Sequence, residues 1–340
     1  MADTPIEVLI TLAFSEAQLG QFEQISPRLR ISYRQVRRIE EITAEEWSKT
    51  EVLYTDRLLP TLNQAPRLRW IQFHFAGIDF MADSPILRKS DLVATTLSGA
   101  AAPQMGEFAL MMMLALGHRL PDLYANQQKA DWPRDRWDRF IPRELRGSTI
   151  GLVGYGSISR EIARLVQPLG VTILAAKRDV MHPRDDGFTP AGTGDPEGNL
   201  FTRLYPIQAL KSMVKECDFI IVAAPLSTSS RGLIGAEVLA VMKPTAYIID
   251  FSRGNIIDQA ALIEALQNKK IAGAALDVFP EEPLPPSSPL WKMPNVLVTP
   301  HIGGISPHYM DRAAELFAEN LRRYVNGQPL MNRFEPERGY

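Results

Sequence analysis

Between residues 149 and 298 the chain runs repeatedly into short, nearly uncharged apolar stretches: "TIGLV", "TILAA", "FIIVAA", "YIID", "GAALDV" and "VLV". Strands apolar on both faces need cover on both faces, which rules out an antiparallel sheet with one wetted side. Parallel neighbours also need crossovers long enough to hold a helix. This half of the chain therefore reads as strands of a sheet covered on both faces, with helices between them. The N-terminal part repeats the theme, because "EVLITLAF", "ISYRQV", "TAEEWSKTEVLYT" and "LRWIQFHFAG" suit further strand and helix units. The fold class read from these patterns is α/β, with two Rossmann- or flavodoxin-like domains, each a parallel sheet flanked by helices.

Two helices stand out. "APQMGEFALMMMLALGHRL" is apolar on most faces, so it must be buried between domains or between subunits; Met111 to Met113 within it read as packing residues. "ISPHYMDRAAELFAENLRRYVNG" is amphipathic and closes at Gly327, a fitting C-terminal cap. Between strands, residues 181–199 are rich in Pro, Gly and Asp and read as a long surface loop of undisclosed purpose.

With 340 residues, 45% hydrophobic and 22% charged, the chain has globular proportions, and a net charge of −2 supplies no basic field for nucleic acid or an anionic membrane. The single cysteine, Cys217, excludes an internal disulfide and a cysteine-based zinc site and fits a reducing compartment. No metal site is expected. The opening "MADTPIEVLITLAF" lacks a basic n-region, and the apolar run from Phe108 to Leu116 is too short for a membrane span. A cytoplasmic protein is expected.

Gly154-Tyr155-Gly156-Ser157-Ile158-Ser159 lies between a strand and a helix, the context a dinucleotide-binding turn requires. The first glycine permits the tight turn, the second lets backbone amides approach a pyrophosphate, and the helix N-terminus faces that phosphate. Ser159 replaces the usual Gly or Ala; it is small and its hydroxyl can bond back to the Tyr155 carbonyl, so cofactor binding is expected to be weakened rather than lost. Lys177 stands 21 residues beyond Gly156, close to where NAD-specific sites carry an acid for the ribose 2′-hydroxyl. A Lys177-Arg178 pair there would instead neutralise a 2′-phosphate, which favours NADP(H) and leaves NAD(H) as the second option. In the alternative, both cations are solvated and Asp179 serves the ribose.

Three loops after buried strands carry reactive groups: Arg253 in "DFSRGNIID", Glu281 and Glu282 in "LDVFPEEP", and His301 in "VTPHIGG". Ligands of open parallel sheets bind at the carboxyl ends of strands, so an anion binder, a carboxylate and a titrating base can meet around one substrate. Taken singly, each has a bland reading, as a structural ion pair, a solvated loop and a turn cap. His118, His182 and His308 lie at a helix end, in a loop and at a helix start. His74 reads equally as a substrate contact or a packed strand residue.

The runs "GLVGYGSI", "APLSTSSRGLIG", "MKPTAYIIDFSRGNIIDQAALIEAL", "GAALDVFPEEPLP" and "SPLWKMPNVLVTPHIGG" resemble, in order and spacing, the D-isomer-specific 2-hydroxyacid dehydrogenase family. That resemblance covers nearly the whole chain. It implies a split substrate-binding domain (1–98 plus 305–340) flanking a Rossmann domain (99–304), a cleft between the two, hinges near 98–100 and 303–305, and a homodimer formed through the Rossmann domain. By the same resemblance Arg253 holds the substrate carboxylate, His301 exchanges the proton on the C2 oxygen, and Glu282 orients His301. Phe75, Ala76 and Gly77 in "HFAGID" form the substrate-carboxylate loop. The turn motif and the resemblance together imply cofactor contacts from Gly154, Tyr155, Gly156, Ser157, Ile158, Lys177, Arg178, Ala224, Pro225, Ser230, Phe251, Ser252, Asp277 and Gly303, with Asp277 expected near the nicotinamide carboxamide and Ser227 beside Ser230.

The expected activity is hydride transfer between NAD(P)H and a small 2-oxoacid or D-2-hydroxyacid. The cations after the second Rossmann strand, with Trp132 and Trp137, lean toward NADPH-linked glyoxylate and hydroxypyruvate reductases; those tryptophans also suit packing on a partner subunit. Alternatives are a phosphoglycerate dehydrogenase-like enzyme and a non-catalytic dinucleotide sensor acting through protein partners.

Overall fold

The computed structural model describes residues 4–335, so the first three and last five residues of the expected 1–98 and 305–340 segments lie outside the described residues. The chain forms two compact units, one comprising Met1–Ala101, Asp186–Pro190 and Ser306–Tyr340, the other Ala102–Asp185 and Ala191–Ile305.

The first unit is built on strands β1 (Ile6–Ile10), β2 (Leu29–Tyr33), β3 (Val52–Thr55), β4 (Trp70–Phe73) and β5 (Val93–Thr95), all parallel in the order β2-β1-β3-β4-β5. Its short helices begin at Ser15 and Thr43, each of which closes a capping box with the residue three positions on, Gln18 and Glu46. The helix Tyr309–Val325 lays Ala314, Phe317 and Leu321 over the sheet. Phe317 is fully buried against Tyr54, Trp70, Phe14 and Phe22, a contact worth about 2–3 kcal/mol from apolar burial alone. Gly327, at φ 66°, takes the left-handed conformation just past that helix.

The second unit carries β6 (Thr149–Val153), β7 (Thr172–Lys177), β8 (Arg203–Pro206), β9 (Phe219–Val222), β10 (Tyr247–Asp250), β11 (Gly273–Leu276) and β12 (Val296–Val298). All are parallel, in the order β12-β11-β10-β9-β6-β7-β8. The order reverses at β6, whose two neighbours are β7 and β9, and ligands of such sheets bind at that switch point. Strands β6, β9, β10 and β11 are buried almost throughout, as their uninterrupted apolar sequences require.

The helix Ala102–Gly117 buries Met105, Phe108, Met112 and Met113 but leaves Met111 half exposed, so the methionine run is not uniformly packed. Residues 181–199 are not simply a surface loop either. Phe188 is buried with Leu97, Ala100, Ala313 and Leu316 in the first unit, and Asp195 is buried in the second. Among the described residues no helix is long and apolar enough to cross a membrane.

Candidate active site

The turn after β6 shows why glycine stands where it does. Gly154 sits at φ 91°, and a Cβ there would meet the Ala224 Cα at 2.9 Å and the Ala223 carbonyl at 3.0 Å. The loop after β9, with Ala224 and Pro225, thus presses directly on the turn. Gly156 caps the helix Ser157–Val166, and a Cβ placed on it would meet nothing within 4 Å. A cradle left open in front of helix N-terminal amides fits a dinucleotide pyrophosphate. The bond back from Ser159 to the Tyr155 carbonyl is absent. Ser159 is fully buried in the space usually held by Gly or Ala, and its hydroxyl finds no partner among the described residues.

The cations after β7 are used differently from one another. Lys177 donates to the His182 carbonyl at 2.6 Å, and burial, then the nearby Arg160 charge, weakens its hold on its proton. Arg178 reaches over to the loop after β9 and donates to the Ser229 hydroxyl at 2.9 Å, where Ser227 lies 3.1 Å away. Asp179 is engaged with the His182 ring at 2.7 Å and the Met181 amide at 3.1 Å. Ser230 braces its own turn, accepting from the Ser227 amide and donating to the Pro225 carbonyl.

Beneath this turn the 181–199 segment is locked in place. Fully buried Arg160 pairs with Asp185 at 3.2 Å and stacks over Tyr155 at 4.8 Å, while the Tyr155 hydroxyl donates to Asp195 at 2.6 Å. The same Asp195 carboxylate accepts the amides of Gly198, Asn199 and Leu200. Backbone amides and a buried guanidinium thus hold a segment with no regular structure of its own.

The loops after β10, β11 and β12 carry the reactive groups. His301 Nδ1 and Glu282 Oε2 are 2.7 Å apart, and Glu282 Oε1 accepts the Phe279 amide at 2.9 Å. With its Nδ1–H given to Glu282, the ring's other nitrogen, Nε2, is the one chemically able to exchange a proton. Its backbone is left-handed at φ 54°, and the turn is held by Asp277, whose carboxylate accepts the Thr299 hydroxyl and the amides of Ile302 and Gly303. Glu281 makes no part of this pair; it lines a surface cavity of about 330 Å³ with Gln259, Leu284 and Ser288.

Arg253 lies on the turn leaving β10, its guanidinium donating to the Ser252 carbonyl at 2.8 Å. Gly254 follows because a Cβ there would overlap the Phe279 backbone, at 1.9 Å from its carbonyl carbon. This close approach joins the arginine turn to the glutamate loop. Phe251, buried, packs edge-on against Phe108.

Residues 110–303 match the family profile of the D-isomer specific 2-hydroxyacid dehydrogenase, NAD binding domain. The chain belongs to this dehydrogenase family. A glyoxylate reductase of Thermococcus gammatolerans is 33% identical over 273 residues, spanning 78% of this chain and 76% of its own. A D-3-phosphoglycerate dehydrogenase of Methanocaldococcus jannaschii is 29% identical over 78% of this chain and 47% of its own. The solved D-isomer specific 2-hydroxyacid dehydrogenase of Xanthobacter autotrophicus Py2, in complex with NADPH and MES, superposes with a TM-score of 0.78 at 26% identity, covering 99% of this chain and 100% of its own.

This D-2-hydroxyacid dehydrogenase is therefore an oxidoreductase with a nicotinamide dinucleotide site. In its first unit, Phe75, Ala76 and Gly77 follow β4, and the Phe75 carbonyl accepts the Leu97 amide at 3.1 Å. The preceding His74 is a packed residue. Its Nδ1 lies 2.7 Å from the buried Tyr54 hydroxyl, its carbonyl accepts from Tyr309, and burial lowers its pKa to about 4, so the ring is neutral and accepts from Tyr54.

Two features beside the candidate site escaped the sequence. Asp277 anchors the His301 turn, a role that only the fold reveals. Asp250 ends β10 fully buried and with its pKa raised to about 7, chiefly by burial. An acid closing the apolar run "YIID" was the available signal.

Proposed function

We propose that the enzyme reduces a small 2-oxoacid, of the glyoxylate or hydroxypyruvate type, to the D-2-hydroxyacid with NADPH. The Glu282–His301 pair carries this reading, since it presents an oriented imidazole beside the cofactor fold. Bound NADPH supplies the hydride that reaches C2. Arg253 grips the substrate carboxylate and polarises the C2 carbonyl. Protonated His301, its imidazolium stabilised by Glu282, gives its Nε2 proton to the C2 oxygen, and the neutral ring then takes a proton back from solvent.

The 33% identical relative named glyoxylate reductase supports the substrate class. The phosphoglycerate-type reading is weaker, because that relative is matched over less than half its length. Arg178, with Ser229 and Ser227, is the group we assign to the 2′-phosphate; Lys177 steadies the turn beneath it. The NADPH-bound Xanthobacter neighbour supports the preference. Arg178→Ala is expected to lower the ratio of kcat/KM for NADPH over NADH by about 10- to 100-fold, the loss of one charge-assisted contact to phosphate, with NADH turnover kept. Initial rates with both cofactors and glyoxylate check this. A wild type that prefers NADH overturns the NADP assignment, and cofactor binding without turnover of any 2-oxoacid moves the sensor reading ahead.

We also assign the protein to the cytoplasm, supported by its single buried cysteine, and read it as a homodimer. Met111, Leu114, Leu120, Leu123, Tyr124, Trp132, Trp137 and Ile141 are exposed within one stretch of the second unit, and apolar surface gathered this way calls for a partner. Sedimentation at micromolar concentration is expected to give twice 38.0 kDa for the wild type and the monomer for a Leu123→Asp/Tyr124→Asp variant. A monomeric wild type removes the dimer.

A further inference from the structure

The reaction outlined above makes no use of Asp250, although it is the buried acid nearest in sequence to Arg253. Its Oδ1 accepts both the amide and the hydroxyl of Ser252, at 2.9 and 2.5 Å, and the Ser252 carbonyl in turn accepts the Arg253 guanidinium at 2.8 Å. The turn that delivers Arg253 is therefore folded around this carboxyl. The Asp250 backbone carbonyl accepts the Asp277 amide at 2.8 Å, which sets the two acids at adjacent strand ends. Asp277 holds the His301 turn from there.

The surroundings of Asp250 are otherwise apolar. Its register partners are Val222 on β9 and Leu276 on β11, and the helix Ala102–Gly117 contributes Phe108 against the next residue, Phe251. The charged groups acting on it are Asp277, which opposes its ionisation, and Arg253, which favours it; the two Ser252 donors also favour it, and burial outweighs them. Two carboxyls and one guanidinium in a dry setting leave the second negative charge poorly compensated.

We propose that Asp250 is a positioning residue for Arg253 whose charge state sets how tightly the site holds an anionic substrate. This rests on the 2-oxoacid reading. Neutral Asp250 shapes the turn through Oδ1 and adds no negative charge beside Arg253. Ionised Asp250 keeps the same hydrogen bonds but offsets the positive field of Arg253 by one negative charge. The group loses its proton as pH rises through about 7, so substrate affinity falls in the same direction.

The test is a steady-state pH series with glyoxylate at saturating NADPH, comparing wild type, Asp250→Asn and Asp250→Ala. In the wild type, KM is expected to rise about five- to tenfold from the acid to the alkaline side of neutrality, the effect of one nearby charge at intermediate dielectric. The Asp250→Asn profile is expected to be flat, because the amide oxygen still accepts both Ser252 bonds but carries no charge, and its kcat profile is expected to parallel that of the wild type. Asp250→Ala removes the turn's acceptor, so its melting temperature falls and its KM is raised at every pH. Parallel KM profiles for wild type and Asp250→Asn overturn the proposal and leave Asp250 a shape-holding residue. Absence of turnover with every 2-oxoacid refutes the functional reading separately; oxalate affinity by calorimetry on the same proteins then decides the charge effect, and a pH-independent wild-type Kd overturns it.

Discussion

Arg253→Ala is expected to lower kcat/KM for a 2-oxoacid by about a thousandfold or more, roughly 4 kcal/mol of transition-state stabilisation. Two losses combine. The substrate carboxylate loses a forked donor, and the C2 oxygen loses positive potential as hydride arrival places negative charge on it. Arg253→Lys is expected to recover only a small part, since a point charge on a flexible stem cannot grip two oxygens at fixed spacing. Thermal melts of each variant separate loss of the guanidinium's role toward substrate from loss of fold. Steady-state rates with glyoxylate at saturating NADPH, alongside thermal melts, make the comparison. A variant within tenfold of wild type would show that the carboxylate is anchored elsewhere, and the reaction assigned here would fall with it.

The second large effect concerns the proton. His301→Asn is expected to reduce kcat by about a hundred- to ten-thousandfold, the usual contribution of a positioned general acid. Asparagine is the right replacement on backbone grounds: His301 sits at φ 54°, and Asn tolerates the left-handed region better than most residues. Loss of rate then reports the missing imidazole and not a collapsed turn.

Glu282 has two donors to satisfy, the His301 ring and the Phe279 amide. Glu282→Gln replaces one acceptor with an NH2 group that faces a donor, so it disturbs the imidazole without emptying the site. We expect a loss smaller than that of His301→Asn, and no further loss when the two are combined, because Glu282 acts through His301. Single-turnover rates of the three variants measure this; additive losses would mean that Glu282 has a separate task.

Residues explain how much of this was legible beforehand. The runs "TIGLV", "FIIVAA" and "GAALDV" announced strands because only a sheet covered on both faces accommodates them. Two strands, β5 and β8, were not read: Val93–Thr95 is brief, and Arg203–Pro206 is an edge strand in which only Tyr205 is buried. Arg253, Glu282 and His301 were visible as reactive groups directly after strands. Their hydrogen bonds were not, since His301 and Glu282 are 19 positions apart.

Adjacency along the chain did not settle the local contacts at two places. Ser159 does not bond back to Tyr155. Lys177 and Arg178, adjacent cations read as one unit, go to different partners, as successive side chains along an extended strand end point opposite ways.

What the sequence determined by itself was the class of fold, the dinucleotide turn and the chemical types gathered at the strand ends, because each depends on local spacing and on where apolar residues recur. What only the tertiary structure decided was which polar group answers which: Asp277 to the His301 turn, Asp195 to Tyr155 and the 181–199 segment, Asp250 to the Arg253 turn. A buried carboxylate takes its partners from whatever donors the packing brings within about 3 Å. That choice is made by neighbouring strands and loops far apart in the chain, and no spacing along the sequence records it.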